Sequence, residues 1–281
     1  MSMKTLRNLT FGVCLLASAL LTPATRADDK ADAYKFGKDG IEAAKNKEWD
    51  KAIDLFQKAV KAEPKEPNNH NNLGLAYKGA GKMEEAVKAF SGTLEVEPDN
   101  YAAYLNRGIV NISLKKYTDA TQDLTRAIKL KDSVSAHRFR AFAYLGAKDY
   151  ARAVEDYNVV LKEKENDVEI LDRRAFALWN VKEYDKAIAD FSKIIKEKPQ
   201  NKEAYLDRSY VYELKKDYAK GIADCDKVLS LDPNNEDAKN RKARLEYGQK
   251  KGEATPTPSA RPRRTLPPEP EATPLKRKKR P

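Results

Sequence analysis

One residue recurs too regularly for an ordinary globular domain. Ala52, Ala86, Ala120, Ala153 and Ala187 stand 34, 34, 33 and 34 residues apart, and Gly221 follows after another 34. Four residues beyond each come Phe56, Phe90, Leu124, Tyr157, Phe191 and Cys225. A fixed period of this length limits what the chain can fold into. Each unit is one small supersecondary structure that cannot bury its own apolar face, so a core forms only where units stack on neighbours of their own kind.

The stretch 168–201 shows the unit most clearly. Leu171, Arg174, Ala175 and Leu178 follow the i, i+3, i+4, i+7 spacing of one helical face. Ala187, Phe191 and Ile194 repeat the pattern in a second helix, which Pro199 stops for want of an N–H. Prolines close copies one, two, five and six, at Pro64, Pro98, Pro199 and Pro233, while Asp132 and Glu165 stand there in copies three and four. A small residue sits inside each first helix, at Gly40, Gly74, Gly108, Ala141, Ala175 and Ser209, so the two helices can approach closely.

A helix–turn–helix of 34 residues with these signature positions resembles the tetratricopeptide repeat (TPR). Six units are expected at 33–66, 67–100, 101–133, 134–167, 168–201 and 202–235, about seven tenths of the chain. The resemblance implies an all-α solenoid, a right-handed superhelix whose first helices line a concave groove. The early aromatic of the family pattern is kept at Phe36, Tyr104 and Tyr205 but replaced by His70, His137 and Leu171. Residues 236–251 read as a polar helix suited to capping the open end.

Charge is concentrated at the two ends. The formal net charge is +11, of which residues 1–27 carry +3 and residues 249–281 carry +7, so the repeat body is close to neutral at +1. A general nucleic-acid groove on that body loses its main electrostatic argument. At the start, Lys4 and Arg7 precede an apolar run from Leu9 to Leu21, and Thr25 and Ala27 place small residues at −3 and −1 of a cleavage site. The stretch 1–27 therefore reads as a secretory signal peptide, too short for a comfortable span of about 20 apolar residues. An exported protein, periplasmic or secreted, is expected. Cleavage after Ala27 leaves Cys225 as the single cysteine, so no intramolecular disulfide framework can form. Residues 252–281 hold eight of the fourteen prolines and few large apolar side chains, the composition of a disordered or polyproline-like tail.

Comparing the copies exposes one polar pairing. Arg107, Arg140, Arg174 and Arg208 share a position in the first helices of copies three to six, and Asp123, Asp156, Asp190 and Asp224 lie sixteen residues later in each. Copies one and two have Asp39 with Leu55 and Leu73 with Ala89, so arginine and aspartate appear and vanish together. The expectation is an ion pair inside each hairpin rather than four arginines awaiting an anion.

No catalytic residues are assigned, and no cofactor, metal or small-molecule substrate is expected. His70 and His137 lie two repeats apart, too far in the chain's pattern for a ligand cluster, and read as packed histidines. Cys225 takes the place of a core Phe and has no histidine near it in the repeat. The family's Lys/Asn clamp for a C-terminal carboxylate is incomplete. Asn72 and Asn106 fit one element, but Gly37 and Ile41, or Asn71 and Leu75, replace its partners.

Binding is expected on the concave face instead. Leu105, Ile109, Ile112, Phe142, Phe176, Trp179, Leu206 and Tyr210 would form an apolar, partly aromatic stripe edged by Asn106, Arg138, Asp172, Arg173 and Asp207. A stripe of that extent suits a protein or peptide partner. The tail's Lys276, Arg277, Lys278, Lys279 and Arg280 would meet an anionic membrane or polymer, at about 1 kcal/mol per basic residue near a charged membrane. Two readings follow. One is an exported scaffold that binds a protein segment in its groove. The other is a tail-centred binder of nucleic acid or envelope polymer, with the repeats as spacer.

Overall fold

A computed structural model describes residues 27–252. Residues 1–26 of the signal-peptide stretch and 253–281 of the tail, including Lys276, Arg277, Lys278, Lys279 and Arg280, lie outside the described residues. The described chain is a succession of thirteen helices. Six pairs come first: α1 (Ala27–Lys45) with α2 (Trp49–Ala62), α3 (Pro67–Gly79) with α4 (Met83–Val96), and α5 (Tyr101–Ser113) with α6 (Tyr117–Leu130). They continue as α7 (Val134–Gly146) with α8 (Tyr150–Glu163), α9 (Val168–Asn180) with α10 (Tyr184–Glu197), and α11 (Lys202–Leu214) with α12 (Tyr218–Leu231). The lone α13 (Glu236–Lys251) closes the array.

Every helix packs on the ones before and after it, so the core is a continuous seam between layers rather than a centre. The recurring alanines lie in it, with Ala52, Ala86, Ala120, Ala153 and Ala187 wholly buried. Beside them Phe56, Phe90, Leu124 and Phe191 are also wholly buried, each worth about 1.5–3 kcal/mol of transfer free energy, as is Tyr157 with its polar hydroxyl. The second helices α2, α4, α6, α8, α10 and α12 all run 14 residues, including the two with no proline behind them. Stacking against neighbours therefore sets their length, and proline only reinforces the stop. The first helix, α1, is longer and starts at Ala27, six residues ahead of the expected repeat boundary, with Asp28 and Asp29 placed favourably at its N-terminus.

The two edges of the array are built differently. On the edge where one hairpin passes to the next, each first helix after α1 has a side-chain N-cap: Glu66, Asn100, Ser133, Asp167, Asn201 and, for α13, Asn235. Each such cap contributes about 1 kcal/mol. On the edge within hairpins, five of the six second helices have no side-chain cap bond. The tight turn is held there by the backbone: Glu183 N–H donates to Leu178 C=O at 2.9 Å and Lys182 N–H to Trp179 C=O at 3.0 Å. That double bond to the helix end needs a left-handed residue. Gly81 supplies it once, and Lys47, Lys115, Lys148, Lys182 and Lys216 supply it elsewhere, at φ between 58° and 64°.

The capping helix keeps the register of a first helix. Ala238, Arg241, Leu245 and Gly248 are buried against the last hairpin while most of the remaining surface faces solvent. No described helix is long and apolar enough to cross a membrane.

Candidate functional site: the concave face and its supports

The four expected ion pairs form, and they do more than pair. In each, the arginine fork meets both carboxylate oxygens. Arg107 Nε and Nη2 reach Asp123 at 2.9 and 2.7 Å, and Arg140 reaches Asp156 at 2.8 and 2.8 Å. Arg174 reaches Asp190 at 2.8 and 2.7 Å, and Arg208 reaches Asp224 at 2.9 and 2.7 Å. The third nitrogen, Nη1, leaves the hairpin. It donates to Ser91 Oγ at 2.8 Å, Thr125 Oγ1 at 3.1 Å, Asn158 Oδ1 at 2.9 Å and Ser192 Oγ at 2.8 Å, each on the second helix of the preceding repeat. Lys242 of α13 occupies the next turn of this series and reaches Asp226 at 2.6 Å. An unbroken run of polar staples thus ties α4 to α13. Donating hydrogen bonds to the Asp123 and Asp156 carboxylates holds the Arg107 and Arg140 guanidiniums above their ordinary pKa. These arginines are occupied and offer no anion site.

The Ser, Thr and Asn acceptors escape a reading by residue identity, because they share only a short hydrogen-bonding side chain. Their signal is positional: each directly follows the large core residue of its second helix.

The two histidines are packed, in different settings. His70 Nε2 lies 2.7 Å from Pro64 O. His137 sits between two carboxylates, with Nδ1 at 2.6 Å from Asp156 and Nε2 at 2.9 Å from Asp132. Cys225 is fully buried, 3.2 Å from Ser209 Oγ, and burial pushes its thiol pKa up, away from nucleophilic thiolate.

On the concave face the expected open stripe divides in two. Leu105, Asn106, Ile109, Ile112, Phe142, Arg173, Leu206 and Asp207 are buried, whereas Arg138, Asp172, Phe176, Trp179 and Tyr210 are partly exposed. The first helices of successive repeats come close enough here to bond across the groove floor, as Asn106 to Asn71 at 3.3 Å shows. Leu105, Ile109 and Ile112 of α5 and Phe142 of α7 consequently become core. Arg173 lies under this floor, with its guanidinium 4.8 Å from the Phe142 ring centroid and 2.8 Å from Glu169. Arg138 approaches the same carboxylate from the previous repeat at 2.7 Å. Burial raises the Glu169 pKa, but the hydrogen bond from Arg173 and the charge of Arg138 outweigh it and leave the group below its usual value.

What stays open is aromatic. Phe176 and Trp179 lie 5.0 Å apart, and Trp179 lies 5.3 Å from Tyr210 of the next repeat. Tyr150 meets Phe176 edge-on at 5.9 Å, and Trp179 reaches down to buried Phe191 at 6.3 Å. Beyond Tyr210 the capping helix takes over. Arg241 stands 5.0 Å over the Tyr210 ring, and Arg241 and Arg244 hold buried Glu213 at 3.1 and 3.2 Å. The result is an anchored aromatic ledge at repeats five and six, bounded by Arg138 and Asp172 on one side and the α13 arginines on the other. Rings held on both flanks present apolar area with little mobility to lose on binding.

Comparison with known proteins agrees with this architecture. The tetratricopeptide-repeat family model matches residues 71–134 and 173–236. Human DnaJ homolog subfamily C member 7 is 31% identical over 137 residues, 41% of this chain and 27% of that protein. Rat DnaJ homolog subfamily C member 3 is 35% identical over 101 residues, 36% of this chain and 20% of that protein. The matches thus span about a quarter of those relatives. Among solved structures, YrrB, described as a TPR protein with an unusual peptide-binding site, superposes with a TM-score of 0.62 at 18% identity, covering 67% of this chain and 97% of YrrB. Pseudomonas aeruginosa pilF gives 0.57 at 17% identity, covering 77% and 99%. The MamA protein gives 0.57 at 20% identity, covering 60% and 93%. At these identities the likeness is one of fold: the helical pairs form a tetratricopeptide-repeat solenoid.

Proposed function

We propose that the chain is an exported, non-catalytic scaffold, periplasmic or secreted, that captures an extended segment of a protein partner on its concave face. The observation that carries this reading is the half-exposed ledge of Phe176, Trp179 and Tyr210, held rigid from below by Phe191 and from the side by Arg241. TPR proteins in general serve as protein-interaction scaffolds, and YrrB, of the same fold, is described by its peptide-binding site. An apolar partner side chain would seat on the ledge, and Arg138 and Asp172 would orient the partner backbone or its polar groups. Support for export is the basic start, apolar run and small residues of 1–27. The tail residues Lys276, Arg277, Lys278, Lys279 and Arg280 would hold the scaffold near an anionic surface.

Crosslinking in the native envelope fraction tests the reading. The full chain should capture a discrete protein partner, and Phe176→Asp with Trp179→Asp should lose it while the circular dichroism stays helical. If the double variant keeps its partner and removal of residues 252–281 abolishes capture, the tail-centred alternative replaces the groove.

A further inference from the structure

The edge formed by the turns inside hairpins carries a regularity that neither the groove nor the staples use. Five of its six left-handed positions are lysine, at Lys47, Lys115, Lys148, Lys182 and Lys216. A side chain at positive φ crowds the backbone, and glycine, as at Gly81, is the residue that avoids the cost. All five lysines are exposed. None takes part in a recorded ion pair, although acids stand beside them. At the turns of Lys47, Lys148, Lys182 and Lys216 those acids are engaged by other cations: Glu48 by Lys51, Asp50 by Lys82, Asp149 by Arg152, Glu183 by Lys186, Asp185 by Lys215 and Asp217 by Lys220. The repeat body is nearly neutral overall, yet this edge holds a file of exposed ammonium groups while the opposite edge holds the polar caps Glu66, Asn100, Ser133, Asp167, Asn201 and Asn235.

We infer that this edge is a second binding surface, for a flexible polymer that carries its negative charge on phosphate groups. Three features select that chemistry. First, the file is lysine, a point charge on a mobile stem that accepts phosphate from many angles, while most of the arginines that would grip planar carboxylates are used internally. Second, successive turns are one hairpin apart, roughly 10–20 Å from helix-packing distances, so a small anion meets one lysine and only a chain meets several. Third, the turns follow a solenoid that rotates at each repeat, which a flexible polymer can track and a flat lipid surface cannot. The site is separate from the aromatic ledge and does not depend on it.

The test uses the full-length chain with its tail charges removed by Lys276→Gln, Arg277→Gln, Lys278→Gln, Lys279→Gln and Arg280→Gln. The probes are long-chain inorganic polyphosphate and single-stranded oligothymidylate, with polyglutamate and phosphatidylglycerol vesicles alongside. The tail-neutral chain should bind both phosphate polymers in a salt-dependent way. Adding Lys115→Gly, Lys148→Gly, Lys182→Gly and Lys216→Gly should weaken binding at least ~tenfold at low salt. It should also flatten the log–log salt slope on the oligonucleotide by about 3, from ~0.7 per lost contact. The same four positions as Arg should retain binding. Because glycine relieves the backbone, the Gly variant should melt no lower than its parent. Binding of one phosphate polymer and not the other names the source. Unchanged binding in the Gly variant overturns the inference. So does equal binding of polyglutamate, binding of vesicles alone, or a lowered melting point in the Gly variant, which would assign the lysines to the helix ends.

Discussion

The first two hairpins and the last four share a backbone plan but are closed by different chemistry. In hairpins one and two the helices meet through an apolar contact at its limit. A Cβ built on Gly40 would lie 2.8 Å from the Phe56 ring, and one on Gly74 would lie 2.6 Å from the Phe90 ring. Asp39 with Leu55, and Leu73 with Ala89, fill the positions that hold Arg and Asp in hairpins three to six. Hairpin three keeps that tight contact, with a Cβ on Gly108 2.7 Å from Leu124, but there and in hairpins four to six, with Ala141, Ala175 or Ser209, an arginine fork also spans the helices and reaches the preceding repeat. Apolar contact rewards proximity without direction. The fork rewards one alignment of three helices, and a buried pair of this kind contributes more to specifying register than to net stability. The rear of the array is therefore the part whose geometry is defined, and it is the part that carries the aromatic ledge.

The sharpest way to break this contrast is Asp190→Ala. It leaves the Arg174 guanidinium partly buried with Asn158 as its remaining recorded partner, and should cost about 3–5 kcal/mol in urea unfolding, with amide exchange accelerated first in α9 and α10. Hairpin two already has alanine at that position and is folded, so a small loss would mean that the ladder is dispensable. Next, Gly74→Ala should lose about 1–3 kcal/mol by overpacking Phe90, read as a lower thermal midpoint, although alanine is accommodated at the equivalent Ala175. Transplanting the rear chemistry forward is the third test. Leu73→Arg with Ala89→Asp should show a favourable coupling of about 0.5–3 kcal/mol in a double-mutant cycle, because Gln57 stands where the preceding-repeat acceptor is needed. A coupling of zero would show that three positions do not suffice.

The smallest effect is a pH dependence. The folded Glu169 pKa is depressed, so its contribution is fully present above its unfolded pKa and is lost as pH falls through the lower folded value. With Glu169 partly exposed, the loss should be at most about 1 kcal/mol below pH ~4.5, and Glu169→Gln should remove it from the stability profile.

How much of this the sequence discloses depends on whether the property repeats by identity. The seam alanines, the large residue after them and the Arg–Asp pairs recur as the same or similar residues, and comparison of copies finds them. Ser91, Thr125, Asn158 and Ser192 share a function without sharing a residue, so they pass as surface variation until the arginines point to them. The groove is half legible for another reason. Core and concave face fall on the same helical period, so Ile109 and Ile112 look as open as Phe176 and Trp179. Only the approach of neighbouring first helices decides between them, burying the first pair and sparing the second. The lysines at positive φ are hidden by a preference: a turn of this kind predicts glycine.

The reach of each arginine into the repeat before it makes the array open to editing. Excise residues 134–167 and Arg174 falls where Arg140 was, with Thr125 waiting to receive it and Asp190 still its own. Insert a copy and the same holds in reverse. Each unit from the second to the fifth ends in an acceptor that the next unit's arginine can use, so the ladder of forks survives the gain or loss of a whole unit. The molecule's span is thus a quantity that gene duplication can adjust in steps while the chemistry of each joint stays as it is.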